Sequence, residues 1–397
     1  MIEPRPVVVA GVGTSGFGRW PQRHAPELSN EAIHEALADA DTTAADIDAV
    51  YVGSVFGAPG VASRVVAAAG LAGAPTYRIE AACASGTVAF HEAYQAIRLG
   101  RHERVLAVGV EQLSTIFGGA IVPEPTDPEG RAGLALPALY ALQADRYLHQ
   151  WDQPGSLLAH VAVKNKAHGA LNPRAHLRGE PPSLEQVLQS RPIAGALTLL
   201  QCCPMSDGAG AAVLSTPQRP DRDVTVLGSS FRSGNLWDQD SDAPWGFECV
   251  ASAAAEAFED AGLTADDVDV AEVHDAFTIG EVLTLEAVGI CEPGSGIGAA
   301  ASGETALGGR LPVNPSGGLL SRGHPLGATG LAQLAELVWQ LRGDAGQRQV
   351  PGARTALLET MGGGAAGVDG NACVVALLGG PRSHDPDVGP NQPGESP

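Results

Sequence analysis

The sequence predicts an α/β protein made of two similar halves, with a loop domain inserted into the first. Apolar runs of strand length alternate with stretches of helical period, the pattern of a mainly parallel sheet covered on both faces. A segment of the first half, EALADADTTAADIDAVYV at 35–52, aligns without a gap on EAFEDAGLTADDVDVAEV at 256–273, with nine identities in eighteen positions. Copies standing about 220 residues apart are too distant for a solenoid, so each marks one α/β half with its own sheet. Between them, residues 111–200 follow neither period and are rich in Gly, Pro and Leu, as expected of an insertion that carries a binding surface.

Each element follows from local pattern. PVVVAGV at 6–12 reads as a buried strand, and 28–40 as a helix capped by Ser29. A strand at 47–52, helices at 61–70 and 85–99, and a strand at 103–109 continue the first half, and helical stretches at 136–150 and 155–170 lie in the insertion. The polar, proline-bearing STPQRPDRD at 215–223 separates the copies. The expected domains are 1–110 with 201–220, the insertion 111–200, and a C-terminal half at 221–380. The tail, 381–397, lacks apolar periodicity and is expected to be disordered.

Composition narrows the function. A chain of 397 residues with 44% hydrophobic residues can bury a large core. Its net charge of -21 argues against a nucleic-acid partner, although one local Arg can still bind an anionic ligand. Six cysteines without CxxC spacing suit neither a disulfide framework nor a metal site, and imply reduced thiols in the cytoplasm. The N-terminus lacks the cationic flank of a signal peptide, and no apolar run approaches the roughly 18 residues of a membrane span. The two lysines, Lys164 and Lys166, read as compositional bias rather than a site.

Five segments could carry chemistry. GVGTSG at 11–16 has dinucleotide-binding spacing, but Pro21 and Pro26 stand where the phosphate-facing helix would run, which leaves a glycine turn. Cys83 falls between a short strand and a helix, where the helix dipole would favour thiolate; a buried structural cysteine is the alternative. His274 and Asp275 end a strand at the sheet edge where ligands bind, or else His274 merely satisfies a helix start. His324 sits among Gly317, Gly318, Gly323, Gly327 and Gly330, as a base or oxyanion donor or as part of a tight turn. The glycines at 362–364 could aim N–H groups at a developing oxyanion, or form a hairpin turn.

Together, CASG around Cys83, HDAF at 274–277, NPSGGLLSRGHPLGATG at 314–330 and MGGG at 361–364 resemble the thiolase superfamily. HDAF makes the sterol-carrier-protein-x-like (lipid-transfer-protein-like) branch the nearest. The resemblance implies a five-layered αβαβα core and an acyltransferase that makes or breaks a carbon–carbon bond. Its substrate would be a coenzyme A thioester, with no tightly bound cofactor. Cys83 would carry the acyl group and His324 accept its proton. His324 with His274 would hold the enolate oxygen, while the N–H groups of Cys83 and Gly362 would hold the tetrahedral oxyanion.

The degradative thiolases' second cysteine is Thr360 here, a possible substitute, and the cysteine of the sterol-carrier HDCF is Ala276. That departure leaves a C-acyltransferase or retro-aldolase with a DUF35-type OB-fold partner as an alternative. A CoA-thioester-binding subunit of a complex is the non-enzyme reading. The family also implies a homodimer or homotetramer.

Overall fold

A computed structural model describes residues 4–238, 240–241, 243–363 and 367–381, so the tail expected to be disordered lies outside them from 382 onward. The first half comprises β1 (Val8–Thr14), α1 (Ala25–Asp39), β2 (Ala49–Gly53), α2 (Val61–Ala68), β3 (Thr76–Ile79), α3 (Ser85–Arg98) and β4 (Arg104–Gln112). The following segment holds α4 (Pro128–Arg131), α5 (Leu136–Gln150), α6 (Leu158–Ala170), α7 (Leu184–Leu188) and a hairpin of β5 (Pro192–Ala194) and β6 (Leu197–Thr198). The chain then returns as β7 (Asp207–Ser215). The second half follows as β8 (Val224–Arg232), α8 (Phe247–Ala261), β9 (Val270–Glu272), α9 (Thr278–Ala287), α10 (Gly296–Ser302), α11 (Gly318–Ser321), α12 (Thr329–Arg342), β10 (Thr355–Gly362) and β11 (Ala372–Gly379).

The strands run in the order β3-β2-β4-β7-β1-β8-β11-β10-β9. The two sheets expected to be separate are therefore joined, through a short antiparallel ladder pairing Val8 with Thr225 and Val9 with Val224. Outward from that joint the same order appears twice, and the first half's outermost strand, β3, is answered by a single parallel bridge from Ala271 to Val313. Nor is the sheet mainly parallel. β7 returns between β1 and β4 and runs against both, and β11 does the same between β8 and β10, so only the outer pairs are parallel.

Side chains alternate across each strand, so both sheet faces need cover. Along β4, Val105 and Ala107 join one core while Leu106, Val108 and Val110 join another. The inner core packs α3 (Phe90, Ala93, Ile97) and α12 (Leu331, Leu334, Val338) between strands of both halves. Helices α1 and α2 cover the outer face of the first half, and α8 and α9 that of the second. The result is the five-layered αβαβα arrangement.

Two local expectations are corrected. Helix α1 starts at Ala25 because Pro26 fits a first turn, where no N–H is required. Ser29 is therefore interior, its hydroxyl bonded to the Ala25 carbonyl, and His24 with Glu27 forms the capping box instead. GVGTSG is no turn at its start: Gly11 and Gly13 lie within β1, where a Cβ would come within 2.4 Å of the Ala36 and Ala32 carbonyl oxygens. These glycines let α1 lie directly on the strand.

Candidate active site

Cys83 occupies the turn between β3 and α3, after Ala82 in a left-handed conformation at φ 47°. The turn is closed by the Ala84 N–H on the Ala81 carbonyl and by the Ala82 N–H on Glu80 Oε1. Gly362, at the end of β10, packs against it so closely that a Cβ would lie 2.3 Å from the Ala81 oxygen and 3.0 Å from the Cys83 nitrogen. From the other half, the loop before α12 closes on α3 and β4: a Cβ at Gly86 or Gly109 would strike the Gly327 carbonyl oxygen. This approach brings His324 Nε2 to 3.3 Å from Cys83 Sγ.

Thr329 Oγ1 lies 3.2 Å from the Pro325 carbonyl, to which it can donate, and 2.7 Å from His324 Nδ1. When its proton goes to the carbonyl it accepts from Nδ1–H, and Nε2 then presents a lone pair to the thiol. Burial, then the charges of Glu111 and Glu80, push the thiol up to about 12. Burial, then His274 and Arg322, hold His324 well below the usual imidazole range. The resting pair is thus neutral thiol and neutral imidazole. The expected helix-stabilised thiolate is corrected, because desolvation outweighs the helix end.

His274 is 3% exposed, and neither ring nitrogen has a hydrogen-bond partner among the described residues. Burial lowers it to about 4, slightly offset by the nearby Met361 backbone. Its backbone N–H donates to Glu359 Oε2 at 2.8 Å, fixing where the ring projects. The ligand atoms of Cys83, His274 and His324 all lie within 4.8 Å of one another. That spacing suits a soft metal ion sterically, and suits equally a nucleophile flanked by a base and an oxyanion donor.

The three side chains line a cavity of about 240 Å³ walled by Leu113, Tyr140, Met205, Phe277 and Leu326, with Arg191 also in its lining. A second cavity, of about 500 Å³, also reaches Cys83, between Phe56, Ile121, Leu136 and Phe231. The thiol thus stands where two largely apolar spaces meet, room for one acyl group and for the chain that delivers it.

A family model described as "Thiolase, N-terminal domain" matches residues 7–181, and one described as "Thiolase C-terminal domain-like" matches 235–369. The chain belongs to the thiolase family. Among similar thiolases, "Acetyl-CoA acetyltransferase" of Methanothermobacter thermautotrophicus is 39% identical, over 90% of this chain and 97% of that one. "Sterol carrier protein 2" of Oryctolagus cuniculus is 37% identical, over 92% of this chain and 72% of that one. "Benzoylsuccinyl-CoA thiolase subunit BbsB" of Thauera aromatica is 34% identical, over 91% of this chain and 95% of its own. Among solved structures, "Ltp2-ChsH2(DUF35) aldolase" superposes with a TM-score of 0.84 at 24% identity, covering 96% of this chain and 100% of that chain. Human mitochondrial 3-ketoacyl-CoA thiolase in complex with CoA gives a TM-score of 0.73 at 19% identity, covering 95% of this chain and 98% of that one; both show a shared fold. The protein is accordingly a thiolase-type acyltransferase working on coenzyme A thioesters. No helix among the described residues is long and apolar enough to cross a membrane.

The thiolase site rests on groups whose importance the sequence conceals. Both lysines are buried on α6 and anchor the second half's loops: Lys164 meets Glu281 at 2.9 Å and the Val313 carbonyl, and Lys166 meets the Leu320 carbonyl. Asp275 accepts from the Leu319 N–H and from Asn165, so it locks the loop carrying His324 rather than facing substrate. Glu111 accepts N–H groups of Val55, Phe56 and Gly327, tying the halves together beside the thiol. The missed signal was that both lysines fall on one helical stretch beside a polar run, KNKAH. Thr360 donates its hydroxyl proton to Gln333 Oε1 at 2.7 Å and lines neither cavity at Cys83. His91, buried, pairs with Ser229 away from the site.

Proposed function

We propose that this thiolase transfers an acyl group through a thioester on Cys83. His324 Nε2 takes the thiol proton as Cys83 Sγ attacks the carbonyl carbon of an acyl-CoA. The oxyanion of that tetrahedral state is held by the N–H groups of Cys83 and Gly362. In the carbon–carbon step, His274 and His324 bind the enolate oxygen; among the described residues neither ring nitrogen of His274 makes a hydrogen bond of ordinary geometry, and the Met361 backbone beside it favours the protonated ring. The observation that carries this reading is the 3.3 Å contact of His324 Nε2 with Cys83 Sγ, the ring's other nitrogen resting on Thr329 Oγ1. Arg191, exposed and in the cavity lining, is the cation offered to the coenzyme's phosphates. Thr360 stays outside this scheme, its proton being engaged by Gln333.

The chain divides functionally into 1–110 with 201–220, the insertion 111–200 and the half 221–380, the insertion supplying Tyr140 and Arg191 to the site. It works as a homo-oligomer in the cytoplasm, where its six free thiols stay reduced. A second reading, a C-acyltransferase or retro-aldolase paired with a DUF35-type subunit, draws support from the absence of a cysteine at both 276 and 360. Mass spectrometry after incubation with acetyl-CoA and propionyl-CoA tests the first reading: a Cys83 adduct is expected. No adduct with any acyl-CoA, with turnover unchanged in Cys83→Ala, overturns it. Acyl transfer to a non-CoA carbon nucleophile without acetoacetyl-CoA thiolysis would favour the second.

A further inference from the structure

The cavity beside Cys83 contains a thiol that the scheme above does not use. Cys203 lies where the chain leaves the insertion for β7, and its N–H donates to the Ala276 carbonyl at 2.9 Å. The adjoining Cys202–Phe277 bridge is antiparallel, so this segment runs alongside HDAF. Cys203 is thereby set against the residue whose side chain, in the resembling sterol-carrier branch, would be the second cysteine. The neighbouring Cys202 thiol already donates to the Thr198 carbonyl at 3.3 Å. Cys203 shares its cavity with Cys83, His324 and His274, whose ring nitrogens have no partner of ordinary hydrogen-bond geometry among the described residues.

We infer that Cys203 is the acid and base that serves the α-carbon in this enzyme, the part that neither Ala276 nor Thr360 can play. The inference rests on the acyl-Cys83 reading. When Cys83 Sγ displaces coenzyme A from an acyl-CoA, the Cys203 S–H gives its proton to the departing CoA thiolate. The Cys203 thiolate then removes a proton from the α-carbon of a second acyl-CoA, and the C–H electron pair moves to the enolate oxygen between His274 and His324. The enolate carbon attacks the acyl group on Cys83, the carbon–sulfur bond breaks, and Cys83 leaves as thiolate. His324 then returns to it the proton taken in the first step, so both thiols and the imidazole end as they began.

Two physical points favour the thiol. Burial, with Cys202 and Cys83 nearby, pushes Cys203 well above the ordinary thiol range, which makes its transient thiolate a strong base. The thiol also shares one cavity with Cys83, His274 and His324, while its own N–H is tied to the Ala276 carbonyl.

The test is exchange of the α-protons of acetyl-CoA with D2O, followed by NMR, with acylation of Cys83 measured separately by mass spectrometry. Cys203→Ala is expected to lower exchange by at least about 100-fold while acylation falls less than about tenfold, because a CoA thiolate can leave unassisted. Ala276→Cys placed in that background returns a thiol to the same corner and is expected to restore exchange. Exchange that persists in Cys203→Ala overturns the inference. So does exchange lost only in Tyr140→Phe, or none from an unsubstituted enzyme that still acylates Cys83. If the unsubstituted enzyme forms no adduct on Cys83, the underlying reading falls, and this inference with it.

Discussion

The two halves repeat one strand order and direction, yet they bring different chemistry to the site. The first places a thiol just ahead of α3, and the second an imidazole just ahead of α12, the two helices that share the middle layer. The first half's support at that point is two carboxylates that gather N–H groups, Glu80 within the Cys83 turn and Glu111 behind it. The second half's support is a buried ionic set of Glu272, Asp275, Glu281 and Arg322, braced by Lys164 and Lys166 from the insertion. Duplication thus supplied two helix ends facing each other, and divergence made one a nucleophile and the other a base. The insertion's lysines brace the second half at this point, whereas its hold on the first half lies elsewhere, through Arg174 on Glu35 and the Thr14 carbonyl.

That division can be broken one half at a time. Removing the first half's contribution with Cys83→Ala should cost at least about 10⁴-fold in turnover, as nucleophile deletions do. Loss of the acyl adduct in the intact-protein mass would confirm it, and an adduct persisting at another residue would show that the nucleophile is not confined to the first half. Removing the insertion's brace with Lys164→Met leaves Glu281 buried without its cation, and should lower stability by about 3–5 kcal/mol in urea unfolding. A smaller loss would mean that the second half holds its loop unaided. Gly362→Ala should lower acylation by about 10²-fold, since the added methyl displaces the Cys83 turn from its oxyanion donor. Single-turnover kinetics would measure it.

The smallest effect expected is the absence of one. His274, lowered to about 4, and His324, held well below 6.5, are already neutral at ordinary pH, and the thiol loses its proton only near about 12. Protonation that would disable the base therefore sets in only as pH falls toward 4 and below. The imidazoles and the thiol should add no step to the acylation rate between about pH 5.5 and 8.5, where the buried carboxyls Glu111 and Glu359, both raised by burial to about 7, titrate beside them. An inflection near 6.5 that persists in Glu111→Gln and in Glu359→Gln would show that the second half's imidazoles are wet, and so less sheltered than the first half's thiol.

Much of this was legible in the sequence because it repeats or because it is short-range. The 35–52 and 256–273 match announced the two halves, and Cys83, His274, His324 and Gly362 stand in motifs whose glycines and prolines mark turns. What stayed hidden depends on distance in space. The joining of the two sheets rests on a two-residue ladder, Val8–Val9 with Val224–Thr225, that leaves no mark on periodicity. The neutral state of Cys83 follows from burial by both halves, which outweighs the helix end visible locally. Thr329, Glu111 and the two lysines act through partners 5 to 216 residues away. Cys203 meets Ala276 only across a fold that the sequence does not draw.

The shared middle layer has a consequence for how this chain can be divided. Phe90 of α3 and Leu334 of α12 belong to one core with strands from both sides, so neither half possesses a finished interior of its own. A chain cut within 216–223 should yield two fragments that stay unfolded apart and recover thiolase turnover when mixed. The protein would then serve as a natural split reporter, its activity recording the meeting of two otherwise silent pieces.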